Sequence, residues 1–175
     1  GTFDVTTTEW ADEVCGGILS AGPDRLNAAG ALGLPQVIAP GCLDMANFGG
    51  METVPARFRD DPSRKFYVWN PQVTLMRTTP EENATLGRIL AEKANASRGP
   101  VEVLFPLRGV SILDSVTTDG PQPFWWPEAD AALLNSLRTH LRSDIPLREV
   151  DANVNDDAFV AATTAAMIRM MAASH

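Results

Sequence analysis

The chain has 175 residues and a formal net charge of −8. That length fits one domain with a full core, and the acidic balance excludes a dedicated nucleic-acid surface, because neutralising phosphates needs clustered Lys and Arg. Apolar residues make up 45% and charged residues 21%, an ordinary globular balance, and no run of about 18 apolar residues is available to span a membrane.

In chain order, residues 2–5 read as a first strand that follows Gly1 at once, which points to a fragment of a longer protein. Residues 6–15 read as a loop and a short helix with Thr8 as its cap. Residues 23–31 read as a helix opened by Pro23 and stopped by Gly33. Residues 36–39 and 65–69 are strand-like, and the Gly- and Asp-rich stretch 41–64 between them reads as a long functional loop. Thr79-Pro80-Glu81-Glu82 predicts a capping box and the start of a long helix. Residues 101–105 form a continuous apolar run, expected to be a central strand covered on both faces. A loop over 106–124, a helix over 127–141, a strand over 147–150 and a helix over 156–173 complete the chain. The alternation predicts an α/β domain: a three-layer, Rossmann-like open sheet, mainly parallel, of about five strands with helices on both faces.

In such sheets ligands bind beyond the carboxyl ends of the strands, and the polar loops there supply the candidates. Thr6, Thr7, Thr8 and Glu9 can hold an anion at a helix start or simply cap it. Gly41, Asp44 and Asn47 combine close backbone approach with polar contacts, or serve as turn residues. Asn70, Arg77, Thr78 and Thr79 place a guanidinium beside a capped helix N-terminus, as an anion clamp or a surface ion pair. Gly109 and Ser111 follow the central strand, with Asn155 and Asp156 before the last helix. Trp125-Trp126 reads as a packing plug or interface anchor. His140 and His175 read as solvated, so a Ser–His or Cys–His mechanism is not expected. No Cys/His cluster has zinc spacing, so no resident metal is expected, although Glu9, Asp44, Asp114 and Asp156 are carboxylates of the kind that hold Mg²⁺ with a phosphate. Two cysteines, Cys15 and Cys42, make no disulfide framework; with no export signal, the expected compartment is the reducing cytoplasm.

The runs 4–9, 17–26, 35–37, 40–45 and 70–79, continued by Arg98-Gly99-Pro100, Gly109-Val110-Ser111 and Asn155-Asp156, resemble the UPF0261 family, which includes the Tm-1-like ATP-binding proteins. The resemblance covers nearly the whole chain and implies the C-terminal one of two Rossmann-like lobes. It implies ATP, with Mg²⁺, bound at the lobe junction of the longer protein, with most nucleotide contacts in the N-terminal lobe and no cofactor held tightly by this lobe alone. It also implies a homodimer and a TIM-barrel partner protein. Leu107-Arg108 stands where a Glu-Gly-Gly type run is expected in that family.

Three readings follow: a lobe binding a nucleotide or another phosphate- or carboxylate-bearing small molecule; part of an enzyme on a small carboxylate or sugar acid, with Asp44 or Asp114 as acid/base; or a dimerisation module without chemistry.

Overall fold

The computed structural model of the protein describes residues 1–173; His175 lies outside them. In chain order the elements are β1 (Thr2–Thr6), α1 (Glu9–Cys15), α2 (Asn27–Ala31), β2 (Gln36–Gly41), β3 (Met45–Phe48), a 3-10 turn at Met51–Thr53 and α3 (Ala56–Arg59). Then come β4 (Phe66–Asn70), β5 (Val73–Arg77), α4 (Pro80–Asn95), β6 (Val101–Pro106), β7 (Val116–Thr117), β8 (Gly120–Pro121), α5 (Pro127–His140), β9 (Leu147–Val150) and α6 (Asp157–Ala173).

The main sheet is parallel, in the order β1-β2-β6-β9. Successive strands are neighbours, so right-handed crossovers put their connecting helices on one face. There Leu86 and Leu90 of α4 and Leu133 and Leu137 of α5 pack with Trp10 of α1 against Ile38, Val103 and Phe105. Helix α6 folds back onto the opposite face, where Phe159, Ala166 and Met167 meet Val37, Ala39 and Leu104. β2 and β6 are buried at every position, as expected for strands covered on both sides.

The sheet has four strands rather than about five. The expected strand at 65–69 exists as β4, but it belongs to a separate antiparallel sheet in the order β3-β5-β4. The other two strands of that sheet, β3 and β5, lie in stretches whose sequence reads as loop. Both are short segments buried from two sides: Ala46, Phe48 and Met76 pack with Phe58 of α3 on one face, and Leu75 packs with Leu113 and Phe124 on the other. The stretch 41–64 is therefore built structure: a turn, β3, a 3-10 turn and α3.

Local signals divide the same way. Thr79 Oγ1 accepts from the Glu82 N–H at 3.3 Å, and Glu82 Oε2 accepts from the Thr79 N–H at 2.9 Å, so the expected capping box opens α4. Helix α1 does begin at Glu9, but Thr8 gives it no side-chain cap. Helix α2 begins at Asn27, not at Pro23. Among the described residues no helix is long and apolar enough to cross a membrane.

Candidate functional site

The loops leaving β2 and β6 meet beyond the carboxyl ends of the sheet, where the Cys42 N–H donates to the Val110 carbonyl. Much of the polar equipment expected to face a ligand is instead turned inward. Thr7 Oγ1 donates to the Ala39 carbonyl at 3.0 Å. A Cβ on Gly41 would lie 2.4 Å from the Val5 carbonyl oxygen, so this glycine serves the contact between β1 and β2. Asn47 donates through its backbone and its amide to Asp12 Oδ1, at 2.7 and 3.1 Å, and its amide also reaches Thr8 Oγ1. Thr6 lies exposed where β1 pairs with Gly41, and Glu9 lies 3.5 Å from Arg25. Asn70 sits at the tip of the β4–β5 hairpin, accepting from the Gln72 N–H. Arg77, at the other end of β5, is roughly 13 Å away along the strand.

A second group of predicted residues is brought together. Arg77 is buried, with a side chain that exposes nothing to solvent. Its Nε donates to the Phe124 carbonyl at 2.7 Å, Nη1 to Thr78 Oγ1 at 3.3 Å, and Nη2 to Asp130 Oδ1 at 2.7 Å. Asp114 Oδ1 lies 3.5 Å from the same Nη2. Ser111 Oγ donates to Asp44 Oδ2 at 2.7 Å and accepts the N–H groups of Leu113 and Asp114. Thr78 Oγ1 donates to the Leu43 carbonyl, and Thr79 is committed to its cap. Arg77 is thus neither an open anion clamp nor a surface pair: it is the hub of a buried cluster that joins β5, both loops and α5.

The cluster borders a cavity of about 570 Å³ at the end of β6, a volume suited to a small molecule. Phe105, Leu107, Val116, Trp125 and Leu134 give it a mainly apolar wall, Gly109 and Arg108 line it, and Asp130 contributes an acid. Gly109 has φ +116°, and a Cβ there would lie 1.6 Å from the Asp114 carbonyl oxygen, so only glycine lets the loop turn between pocket and cluster. Arg108 is exposed and holds Asp151 through two 2.7 Å bonds. Trp125 is exposed on the pocket wall, whereas Trp126 packs under the Lys65 ammonium.

Three carboxylates around one guanidinium leave an acidic excess in a low-dielectric place. Burial, followed by the nearby Asp114 charge, lifts Asp130 to about 7 against the pull of Arg77. Burial lifts Asp44 to about 7 as well, with Arg77 opposing and Asp114 reinforcing. The four carboxylates considered for Mg²⁺ do not converge: Asp44 and Asp114 face the guanidinium, Glu9 faces Arg25, and Asp156 accepts the Asn153 N–H. Among the described residues no group of three or more His, Cys, Asp or Glu side chains is placed to hold a metal.

The family model described as "Uncharacterised protein family (UPF0261) C-terminal domain" matches residues 1–171. The chain belongs to the UPF0261 family. It is 46% identical to a UPF0261 protein of Clostridium tetani over 98% of its own length and 41% of that protein's. It is 46% identical to UPF0261 protein RA0729 of Rhizobium meliloti over 95% of the chain and 40% of that relative. It is also 37% identical to the ToMV resistance protein Tm-1(GCR237) of Solanum lycopersicum, over 91% of the chain and 20% of that protein. The chain therefore spans about two fifths of the length of the bacterial relatives.

Two acids of this UPF0261 domain, one buried and one half-buried, are weakly marked in the sequence. Asp130 stands three and four residues before Leu133 and Leu134, so it lies on the apolar stripe of α5. An acid on a buried stripe was the available signal. Asp12 is buried in α1 and accepts from Asn47 and from the Leu19 N–H; nothing in the spacing of its neighbours marks it.

Proposed function

We propose that this chain is the ligand-binding C-terminal lobe of a UPF0261 protein, and that its pocket takes a nucleotide or a related phosphate-bearing molecule. The observation that carries the reading is the cavity at the end of central strand β6, with an apolar and aromatic wall and one acidic group, Asp130, in its lining. Trp125 offers a flat face on which a base can stack. Asp130 offers a carboxyl group as hydrogen-bond partner for a base N–H or ring nitrogen. Arg108 lies at the mouth in an exposed ion pair that contributes little to stability, so its guanidinium is free to turn to a phosphate. The remaining length of the full protein would complete the site, and a phosphate-bound Mg²⁺ would arrive with the nucleotide. A homodimer, a TIM-barrel partner and a cytoplasmic location belong to the same proposal; the free Cys15 and Cys42 thiols support a reducing compartment.

Isothermal titration of Mg-ATP, ADP and inorganic phosphate into this chain and into the longer protein tests the reading. Saturable heat with a nucleotide is expected, weakened tenfold or more by Trp125→Ala and by Arg108→Ala. Absence of heat with all three ligands in the longer protein would reject it. Light scattering, alone and with the barrel protein, reads the assembly.

A further inference from the structure

Asp130 and Asp114 converge on one nitrogen: Arg77 Nη2 lies 2.7 Å from Asp130 Oδ1 and 3.5 Å from Asp114 Oδ1. Two ionised carboxylates on one buried guanidinium nitrogen repel each other, and neither can donate to the other. Asp114 Oδ1 is fully buried and finds no hydrogen-bond donor among the described residues, its nearest cation being Arg77 Nη2 at 3.5 Å. Asp114 Oδ2 already accepts the Val110 N–H at 3.1 Å. One proton between the two carboxyl groups supplies the missing donor. The two members differ in access: the Asp114 side chain is closed to solvent, whereas Asp130 is 20% exposed and lines the pocket.

We infer that the Asp114–Asp130 pair holds one proton at neutral pH and presents it to the pocket through Asp130, making the pocket an acid–base site for ligands with a hydroxyl, carbonyl or ring-nitrogen atom at that wall. When Asp130 gives up the proton, its O–H bond breaks, the electron pair stays on the carboxylate against Arg77 Nη2, and the proton passes to the ligand atom. The reverse step returns it. The charged groups that set this balance are Arg77 from β5, Asp114 and Arg108 from the loop after β6, and Asp44 from the turn after β2. The acid/base role considered for Asp44 or Asp114 thus passes to Asp130, because the other two are sealed from the pocket. The inference rests on the pocket described above but not on the ligand being a nucleotide.

A neutral aryl diazoacetamide tests it without any ligand. A protonated carboxylic acid gives its proton to the diazo carbon; the carboxylate oxygen then bonds to that carbon as N₂ leaves, forming an ester. At pH 6, peptide mapping of this chain is expected to find the ester on Asp130 and not on exposed Asp144 or Asp151. Labelling should fall fivefold or more by pH 8.5. Asp114→Asn keeps the pocket and gives Asp130 an amide donor, so Asp130 ionises and labelling is lost. Asp130 labelled no more than Asp151 in the folded wild-type chain, or labelling that persists undiminished at pH 8.5, overturns the inference. Labelling of Asp130 in a chain that binds no nucleotide would reject the nucleotide reading alone.

Discussion

Ser111 Oγ donates a 2.7 Å hydrogen bond to Asp44 Oδ2 across 67 residues of chain, and both groups are buried. The other oxygen of Asp44 has no donor among the described residues. Burial holds this carboxyl at about 7, above its unfolded value, so the folded state binds the extra proton. The resulting stability is full below the unfolded pKa of 3.8 and is lost as pH rises through about 7. Asp130 acts in the same direction. Glu82, held below its usual value by Arg64 and the Thr79 N–H against its burial, acts oppositely: its contribution is lost as pH falls below 4.5. Urea unfolding is expected to show greatest stability near pH 5 and a decline towards pH 8. Asp44→Asn should flatten that decline and make the chain more stable than wild type at pH 8. An unchanged slope would show that Asp44 is ionised in the fold throughout.

Among the described residues, Arg77 is the one cation paired with this cluster. Removing it leaves buried carboxylates without a partner, which typically costs about 3–5 kcal/mol. Arg77→Met is expected to lower the unfolding free energy from urea titration by that amount at pH 8 and by clearly less at pH 5, where Asp44 and Asp130 carry protons. Arg77→Lys should not restore stability, because one ammonium cannot reach the Phe124 carbonyl, Thr78 and Asp130 together. Full rescue by lysine would show that charge alone matters here.

Gly109 and Gly120 separate backbone strain from collision. Both have positive φ, +116° and +109°, but a Cβ on Gly120 meets nothing within 4 Å, while one on Gly109 meets the Asp114 carbonyl at 1.6 Å. Gly120→Ala should lose only the strain of an unfavourable backbone region, about 1–3 kcal/mol. Gly109→Ala should lose clearly more, together with the Val110 N–H contact to Asp114 Oδ2. Thermal unfolding of the two variants side by side measures the difference; equal losses would mean that the loop relaxes freely.

What the sequence made legible follows from the range of each signal. Alternating strands and helices, the Thr79–Glu82 capping box and the apolar run of β6 are local patterns, and each appears in the fold. The antiparallel sheet is a product of tertiary burial: β3 and β5 are buried on both faces, Phe58 covering one side and Phe124 the other, and with Asn47, Thr74 and Arg77 among the buried positions no period-2 alternation survives. The buried cluster beyond the strand ends gathers Asp44, Arg77, Gly109, Ser111 and Asp114, all residues that the sequence singles out. Which way they face was not. Arg77 turns inward because Phe124 and Asp130, some 50 residues later, meet it, and sequence spacing carries no such information. Thr7 and Asn47 carry groups suited to an anion, yet the Ala39 carbonyl and Asp12 occupy them.

The two thiols give a last test, of the burial of the β2 turn. Burial pushes Cys15 up to about 12, with Glu82 adding to it, and Cys42 up to about 11, with Asp44 and Glu9 adding to it. The thiolate is the reactive form, so at pH 8 only about one Cys42 in 1,000 and one Cys15 in 10,000 are poised to react, against roughly a quarter for a free cysteine. Cys15 is also sealed in the core with Phe48 and Met76, whereas Cys42 is half-buried in a left-handed turn at φ +60°. Reaction with a disulfide reagent should therefore be at least a hundredfold slower than for an unfolded control. Cys42 should react before Cys15, and its rate should rise about tenfold per pH unit. In urea both thiols should react at once. Rapid reaction of Cys15 in the native chain would mean that α1 opens from β3 on the timescale of the assay, and with it the Asp12–Asn47 contact that fixes the turn beside the cluster.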